Sequence, residues 1–435
     1  MRFNIKTLGC KVNQYETHAI EKILIERGHT PVSPGEGCDL CIINTCAVTE
    51  ESVRKSKQAI RRMKKLEPDA LITVCGCYSQ LDQKEVAKLG VDLISGASDR
   101  ELFALQVEKL KTSRSLTIDN ELSSIFEELQ PGSTMNRTRA LLKIQDGCDN
   151  YCTYCIVPYA RGRSRSLSLD RMEEYAKQLE EQGYKEIIIT GIEISSYGRD
   201  IIPLSSSPFS LLPSPGLINA IRIIQCAAPD VRLRLGSLDP NIMTDEFCAK
   251  LSEIPTMCHH FHLSLQSGCD ETLQRMGRKY DTNRVLHAIY SLRNHFSNCG
   301  ITADLITGFP GETDDEFDQT LKFIKNAAFS AMHIFPYSPR PGTKAADMPG
   351  QIIKSIKKER ARIAIETANA LTQNFKQNQI GRTARVLFEK EKNGISVGHS
   401  ENNMEIYVKG KIDRNTIHNT RIISINNGLL MGEIV

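Results

Sequence analysis

Short, unbroken apolar runs separated by amphipathic stretches constrain this chain more than any other feature. Leu40-Cys41-Ile42-Ile43 and Ala70-Leu71-Ile72-Thr73-Val74 do not alternate with polar residues, which predicts strands buried on both faces of a parallel sheet. Phe3-Asn4-Ile5-Lys6-Thr7-Leu8 predicts a strand before them, and residues 91–94 one after. Between them lie predicted helices: a stripe of Ala19, Ile20, Ile23 and Leu24, then 50–65, then 83–89. Up to about residue 110 the expectation is an α/β domain with a parallel sheet.

Residues 111–138 turn polar and include Gln130-Pro131-Gly132-Ser133, predicting a linker with little regular structure. Alternation resumes with strands at 140–144, 186–190, 231–235, 261–265, 301–306 and 331–336. These units predict an open, partial βα barrel rather than a closed eight-stranded one. The Ser- and Pro-rich stretch 203–215 predicts an exposed loop, and 351–378 a long helix. Beyond it, short alternating strands at 384–388, 406–408 and 422–425, with Gly and Asn turns, predict a small β-barrel.

The 435 residues are 40% apolar and 25% charged, ordinary for a globular chain. An apolar run of about 18 residues, the length of a membrane span, is missing, and the N-terminus lacks a signal-peptide stretch. A formal charge of +3 neither demands nor excludes a nucleic-acid partner.

The 14 cysteines are unevenly spread. Cys148-Asp149-Asn150-Tyr151-Cys152-Thr153-Tyr154-Cys155 places three thiols just after a strand. A fully protein-ligated [4Fe–4S] cluster takes four cysteines. Three leave one iron open, as a catalytic metal site requires. Zinc would want a second ligand pair, and none follows. Cys10, Cys46 and Cys77 each follow one of the first three buried strands. In a parallel sheet those strand ends share one edge, where ligands bind, so three thiols distant in sequence can gather in space. The alternative is three packed thiols in three loops. Cys75, inside an apolar run, reads as a packed thiol and rivals Cys77. Cys38, Cys41, Cys226, Cys248, Cys258, Cys269 and Cys299 lack metal spacing and read as structural.

The motifs Thr7-Leu8-Gly9-Cys10-Lys11-Val12-Asn13, Asn44-Thr45-Cys46, Gly76-Cys77-Tyr78-Ser79-Gln80 and Asp146 through Pro158 recur with His262 to Gly268, Gly308 to Thr313 and Tyr337 to Thr343. With them the chain resembles the radical S-adenosylmethionine (SAM) methylthiotransferases over nearly its whole length. The resemblance implies an N-terminal methylthiotransferase domain over 1–112, a radical-SAM core over 134–370 with a partial (β/α)6 barrel, and a TRAM RNA-binding barrel over 373–435. It implies two [4Fe–4S] clusters, on Cys148, Cys152 and Cys155 and on Cys10, Cys46 and Cys77. It implies SAM at Gly191, Glu193, Ser237, Gln266, Gly308 and Pro310, although 191–195 and 235–240 depart from the family's usual strand ends. SAM would chelate the open iron and be split to a carbon radical that takes hydrogen from an adenine. The partners implied are a tRNA anticodon stem-loop and an electron donor such as flavodoxin or ferredoxin, for a cytoplasmic monomer away from membranes.

Lys11 to Thr17 resembles the branch that modifies N6-threonylcarbamoyladenosine. The rivals are action on isopentenyladenosine or a ribosomal-protein aspartate, or a non-catalytic iron–sulfur RNA-binding protein. Arg161, Arg163 and Arg165 read as phosphate contacts or a solvated loop, and Lys11, with Arg161 or Arg163, as a partner for the substrate carboxylate. The basic residues between Arg54 and Lys65 read equally as a contact or a solvated face.

Overall fold

The computed structural model describes residues 1–110, 116–117, 121–132, 138–201 and 216–435. The N-terminal unit is a parallel sheet built from β1 (Arg2–Thr7), β2 (Thr30–Pro31), β3 (Leu40–Thr45), β4 (Leu71–Gly76), β5 (Leu93–Ile94) and β6 (Leu116–Thr117), in the order β2-β1-β3-β4-β5-β6. All six residues of β3 are buried, as its unbroken apolar run requires for a central strand covered on both faces. Around it lie α1 (Lys11–Glu26), α2 (Glu50–Leu66), α3 (Cys77–Leu81), α4 (Gln83–Ala87) and α5 (Arg100–Lys109). Thr49 caps α2, its side chain accepting from the Ser52 amide, and Glu50 and Glu51 fill the first turn while Lys64 and Lys65 fill the last, matching the helix dipole at both ends.

The middle unit carries β7 (Arg139–Lys143), a ribbon of β8 (Gln145–Asp146) and β9 (Arg165–Ser166), then β10 (Glu186–Thr190), β11 (Arg232–Leu235), β12 (Ser237–Leu238), β13 (His260–Gln266), β14 (Gly300–Thr307) and β15 (Ala331–Pro336). The order is β11-β10-β7 in one sheet and β12-β13-β14-β15 in the next, all parallel. A bridge between Leu233 and Met257 joins the two. The expected six-strand open barrel is what forms. Strands β16 (Thr383–Lys392), β17 (Ile395–His399), β18 (Glu405–Lys409), β19 (Thr416–Asn426) and β20 (Leu429–Ile434) close the C-terminal barrel.

The stretch expected to be a bare linker differs where it is described. Leu116–Thr117 pairs with β5. Phe126 is packed into the barrel core and Leu129 into the N-terminal core. Tyr15 donates its hydroxyl to the Leu129 carbonyl at 2.5 Å. Two apolar side chains spaced three apart suffice to strap the units together, a signal too short for periodicity to register. The expected loop at 203–215 lies outside the described residues.

The units pack as one body. Leu141 and Ile188, on the inner face of the barrel sheet, join the core of the N-terminal domain, so α1 closes the side of the open barrel. The C-terminal barrel seats on the opposite ends of the strands. Arg232 donates to the Arg385 and His399 carbonyls at 2.9 and 3.3 Å, and Arg234 to those of Glu401 and Ser400 at 3.1 Å each. Glu186 holds both arginines, at 2.6 and 2.7 Å. The long helix Lys354–Gln377 ends in the same contact, Phe375 joining the small barrel's core and Lys376 donating to the Gly428 carbonyl at 2.6 Å.

Candidate active site

The edge formed by the C-terminal ends of β1, β3 and β4 carries Cys10, Cys46 and Cys77, and backbone geometry brings them together. Gly9 turns with φ +101°, and a Cβ there would lie 2.9 Å from Cys46 Cβ and 3.0 Å from its Sγ. Only glycine permits that turn and that approach. Asn13 ties the strand ends, donating to the Leu8 and Thr45 carbonyls at 2.8 and 2.9 Å. Asn44 donates back to the Asn13 carbonyl at 3.0 Å, and the Cys46 amide donates to Ser56 Oγ at 3.3 Å. The Asn residues of the sequence motifs are thus the clamps of the thiol edge. Cys75 is fully buried in the core on β4, while Cys77 opens α3 on the site side.

Burial raises the pKa of Cys10, Cys46 and Cys77, and Arg161 opposes it in all three. Arg161 comes from the helix Val157–Arg161 beyond the second thiol motif and is 1% exposed. Its Nε donates to Cys77 Sγ at 3.3 Å, and its terminal nitrogens reach Asn13 Oδ1 at 2.6 Å, Glu16 and Asp146. Lys143 pairs with Glu16 at 3.0 Å and Asp146 at 2.6 Å, and Arg100 with Glu16 at 2.8 Å. Arg165 reaches Asp146 at 3.5 Å. Three carboxylates, Glu16, Asp146 and the partly buried Glu127 beside Arg100 and Lys143, face these four cations, and Arg161 is the cation that reaches the thiols, where a thiolate-bound group would meet its charge.

Cys148, Cys152 and Cys155 occupy the loop after the β7–β8 segment, at the C-terminal end of the barrel. The Asn150 amide donates to Cys148 Sγ at 3.5 Å and Arg278 to Cys152 Sγ at 3.2 Å. Burial pushes the Cys148 thiol up to about 11 and Cys155 to about 12. Among the described residues no three His, Cys, Asp or Glu side chains gather closely enough for a single metal ion, so neither triad has the geometry of mononuclear zinc. Donors aimed at sulfur, Arg161 at Cys77, the Asn150 amide at Cys148 and Arg278 at Cys152, fit thiolates shared by a polynuclear cluster.

Beside this triad an open cleft of about 160 Å³ is lined by Asn150, Cys152, Glu193, Ser195, Asp239 and Arg278, among others. Burial, then Asp239, lifts Glu193 to about 7. Arg278 bonds Asp239 at 3.1 Å. Of the six residues expected at SAM, Glu193 lines this cleft. Gly191 is packed on Gln145, whose carbonyl would lie 2.8 Å from an added Cβ. Ser237 is exposed on β12, and Gln266 ends β13 in the left-handed region at φ +66°. Gly308 lies under Lys357, whose Cγ would sit 2.5 Å from a Cβ, and the Pro310 carbonyl accepts from Arg275 at 3.2 Å. Asp239 lies in the 235–240 stretch, whose departure from the family's usual strand end hid its role, and Arg278 belongs to no spaced motif.

The expected phosphate contacts need correction. Arg161 and Arg165 are buried and bonded inward, Arg165 to the Arg161 and Arg163 carbonyls at 2.8 and 3.1 Å, so neither can reach a phosphate. The Arg163 side chain is 84% exposed and, among the described residues, pairs with Asp149. Beside it Tyr151 and Tyr159 stand exposed in an edge-to-face pair 6.0 Å apart. Lys11 is reached by solvent along its stem, while burial of its amine, then the charges of Arg234 and Arg139, lower its pKa. On α2, Arg54 and Lys55 are paired with Glu51 and Lys57 with Glu85, while Arg61, Arg62 and Lys65 are exposed without an ion partner among the described residues.

Comparison with known proteins agrees with this architecture. Residues 142–324 match the Radical SAM superfamily and residues 2–96 a family described as Uncharacterized protein family UPF0004. The chain is 35% identical to the threonylcarbamoyladenosine tRNA methylthiotransferase MtaB of Thermotoga maritima, over 97% of this chain and 94% of that one. It is 31% identical to the tRNA-2-methylthio-N6-dimethylallyladenosine synthase of Caldicellulosiruptor saccharolyticus, over 100% and 92%. Its fold resembles the radical S-adenosylmethionine methyltransferase TsrM of Kitasatospora setae, solved with cobalamin and a [4Fe–4S] cluster, at a TM-score of 0.57 and 14% identity over 79% and 77% of the two chains.

Proposed function

The chain belongs to the radical-SAM tRNA methylthiotransferase family, and from that premise we infer that it places a methylthio group on C2 of N6-threonylcarbamoyladenosine beside the anticodon of tRNA. The observation that carries this is the full-length 35% identity to MtaB, joined to two thiol triads facing one domain junction. Cys148, Cys152 and Cys155 would hold one [4Fe–4S] cluster, and Cys10, Cys46 and Cys77 the other. When bound, the clusters and SAM supply one-electron cleavage, sulfur and a methyl group.

The chain's own residues do the positioning. Arg278 and Asp239 form one wall of the cleft beside Cys152, and Glu193 another; this is where SAM's amino and carboxylate groups find opposite charges. Arg161 holds the two triads in register, since it touches Cys77 while its own helix follows Cys155 directly. Strands of five residues put the ends of the barrel about 17 Å apart, so a large substrate such as tRNA can touch the small barrel at one end and the thiols at the other. Residues 1–112, 134–370 and 373–435 divide the work as sulfur donor, radical core and RNA-binding TRAM domain. Tyr151, Tyr159 and Arg163 offer stacking faces and a cation for unpaired bases. The protein acts as a cytoplasmic monomer, reduced by a flavodoxin or ferredoxin; no described helix is long and apolar enough to cross a membrane.

Two experiments test this reading. Turnover should require the threonylcarbamoyl group: an anticodon stem-loop carrying it should be methylthiolated, and unmodified or isopentenylated stem-loops should not. Equal turnover on all three, or preference for the isopentenylated one, would reject the substrate. For the ligands, Cys75→Ala should keep both clusters at a stability cost of about 1 kcal/mol, whereas Cys77→Ala should lose one. Iron analysis and thermal unfolding decide between them, and the reverse pattern would make Cys75 the ligand.

A further inference from the structure

The segment Tyr337-Ser338-Pro339-Arg340-Pro341-Gly342-Thr343 leaves β15 and crosses to the N-terminal domain. The Glu50 amide donates to Ser338 Oγ at 3.1 Å across the junction. The Arg340 carbonyl accepts from the Thr343 amide at 3.1 Å and from its hydroxyl at 2.7 Å, closing the turn. Prolines on both sides restrict the backbone of Arg340. The result is an arginine presented at the thiol edge, with Cys46, Glu50, Tyr78 and Asp82 as its charged and titratable neighbours.

The other arginines at this junction are committed. Arg161 is bonded to Glu16, Asn13 and Cys77, and Arg278 to Cys152 and Asp239. Arg340 is not: its Nε is buried without a hydrogen-bond partner, and its guanidinium makes no hydrogen bond or ion pair among the described residues. Buried donors are almost always satisfied, so a preorganised guanidinium left open beside a reaction site is shaped for a group that arrives from outside. Its planar fork matches a carboxylate or phosphate in two parallel bonds.

We propose that Arg340 binds an anionic oxygen pair of the RNA substrate at the mouth of the Cys10–Cys46–Cys77 edge, either the carboxylate of the threonylcarbamoyl group or a phosphate flanking the target nucleotide. This rests on the methylthiotransferase reading above. Cys46 lies near enough to feel its charge, but no thiol, carboxylate or carbonyl among the described residues bonds the guanidinium, which leaves its fork to the substrate.

The test compares Arg340→Met and Arg340→Lys with wild-type holoenzyme, binding threonylcarbamoylated and unmodified anticodon stem-loops at two salt concentrations. Iron content, cluster EPR spectrum and thermal midpoint are expected to stay at wild-type values. If the carboxylate is the partner, Arg340→Met should weaken the modified stem-loop about 10- to 100-fold and the unmodified one less than about twofold. If a phosphate is the partner, both should weaken equally, the log–log salt slope should fall by roughly 0.7 to 0.9, and lysine should restore most of the affinity. Wild-type affinity of Arg340→Met for both RNAs would overturn the proposal. So would loss of iron with RNA binding intact, in either variant, since Arg340 would then serve the cluster. Wild-type holoenzyme that binds neither stem-loop would overturn the methylthiotransferase reading instead.

Discussion

Replacing Arg161 with methionine is expected to destabilise the protein by about 3 kcal/mol and to loosen the N-terminal domain from the barrel. The side chain is fully enclosed and bonds Glu16 and Asn13 of one unit and Asp146 of the other. Breaking a buried ion pair costs about 3–5 kcal/mol; the low end applies because Arg100 and Lys143 still hold Glu16. Arg161→Lys should recover part of the loss, keeping the charge but not the planar fork. Acid provides a second readout. Burial raises the carboxyl pKa of Glu16 and Asp146, but the surrounding cations win and hold both below the ordinary carboxylate range. Depressed folded-state values contribute stability above the unfolded-state pKa of about 4, and that contribution is lost as pH falls from there through the folded values. Urea midpoints should therefore drop between pH 7 and pH 3 in the wild type, and drop less in Arg161→Met. A variant as stable as wild type at pH 7, with the same acid response, would mean that the network does not join the units.

The strand–helix order, the open barrel and the closed C-terminal barrel were legible because each rests on local pattern. The six strands expected at 140–144, 186–190, 231–235, 261–265, 301–306 and 331–336 fall on strands of the barrel, and Leu40 to Ile43 on a fully buried one. The gathering of Cys10, Cys46 and Cys77 was legible too, since strand direction alone sends three βα loops to one edge. What sequence could not show is which charges are spent inside. Arg161, Gly162, Arg163, Ser164 and Arg165 look like one basic loop, yet Arg161 and Arg165 turn inward and Arg163 outward. The acceptor that claims Arg161, Glu16, lies 145 residues away, and burial of a salt bridge leaves no periodic trace. The pairing of Asp239 with Arg278 was hidden for the same reason. The strap through Phe126 and Leu129 was hidden by brevity.

The largest chemical effects are expected from exchanging whole triads. If both sites bind [4Fe–4S], anaerobically reconstituted protein should hold about eight irons. Cys148→Ala, Cys152→Ala and Cys155→Ala together should halve the iron and abolish SAM cleavage, because the removed thiols adjoin the cleft lined by Cys152, Glu193 and Arg278. The N-terminal triad stands apart from that cleft, on the sheet edge that Arg161 caps. Its loss should spare the cleft while removing the source of sulfur. The most direct measurement is therefore iron content and SAM cleavage in the variant carrying Cys10→Ala, Cys46→Ala and Cys77→Ala. The expected result is half the wild-type iron, SAM cleavage intact and no methylthiolated RNA; full iron in that variant would contradict the account, because three thiols gathered by three strand ends would then hold nothing.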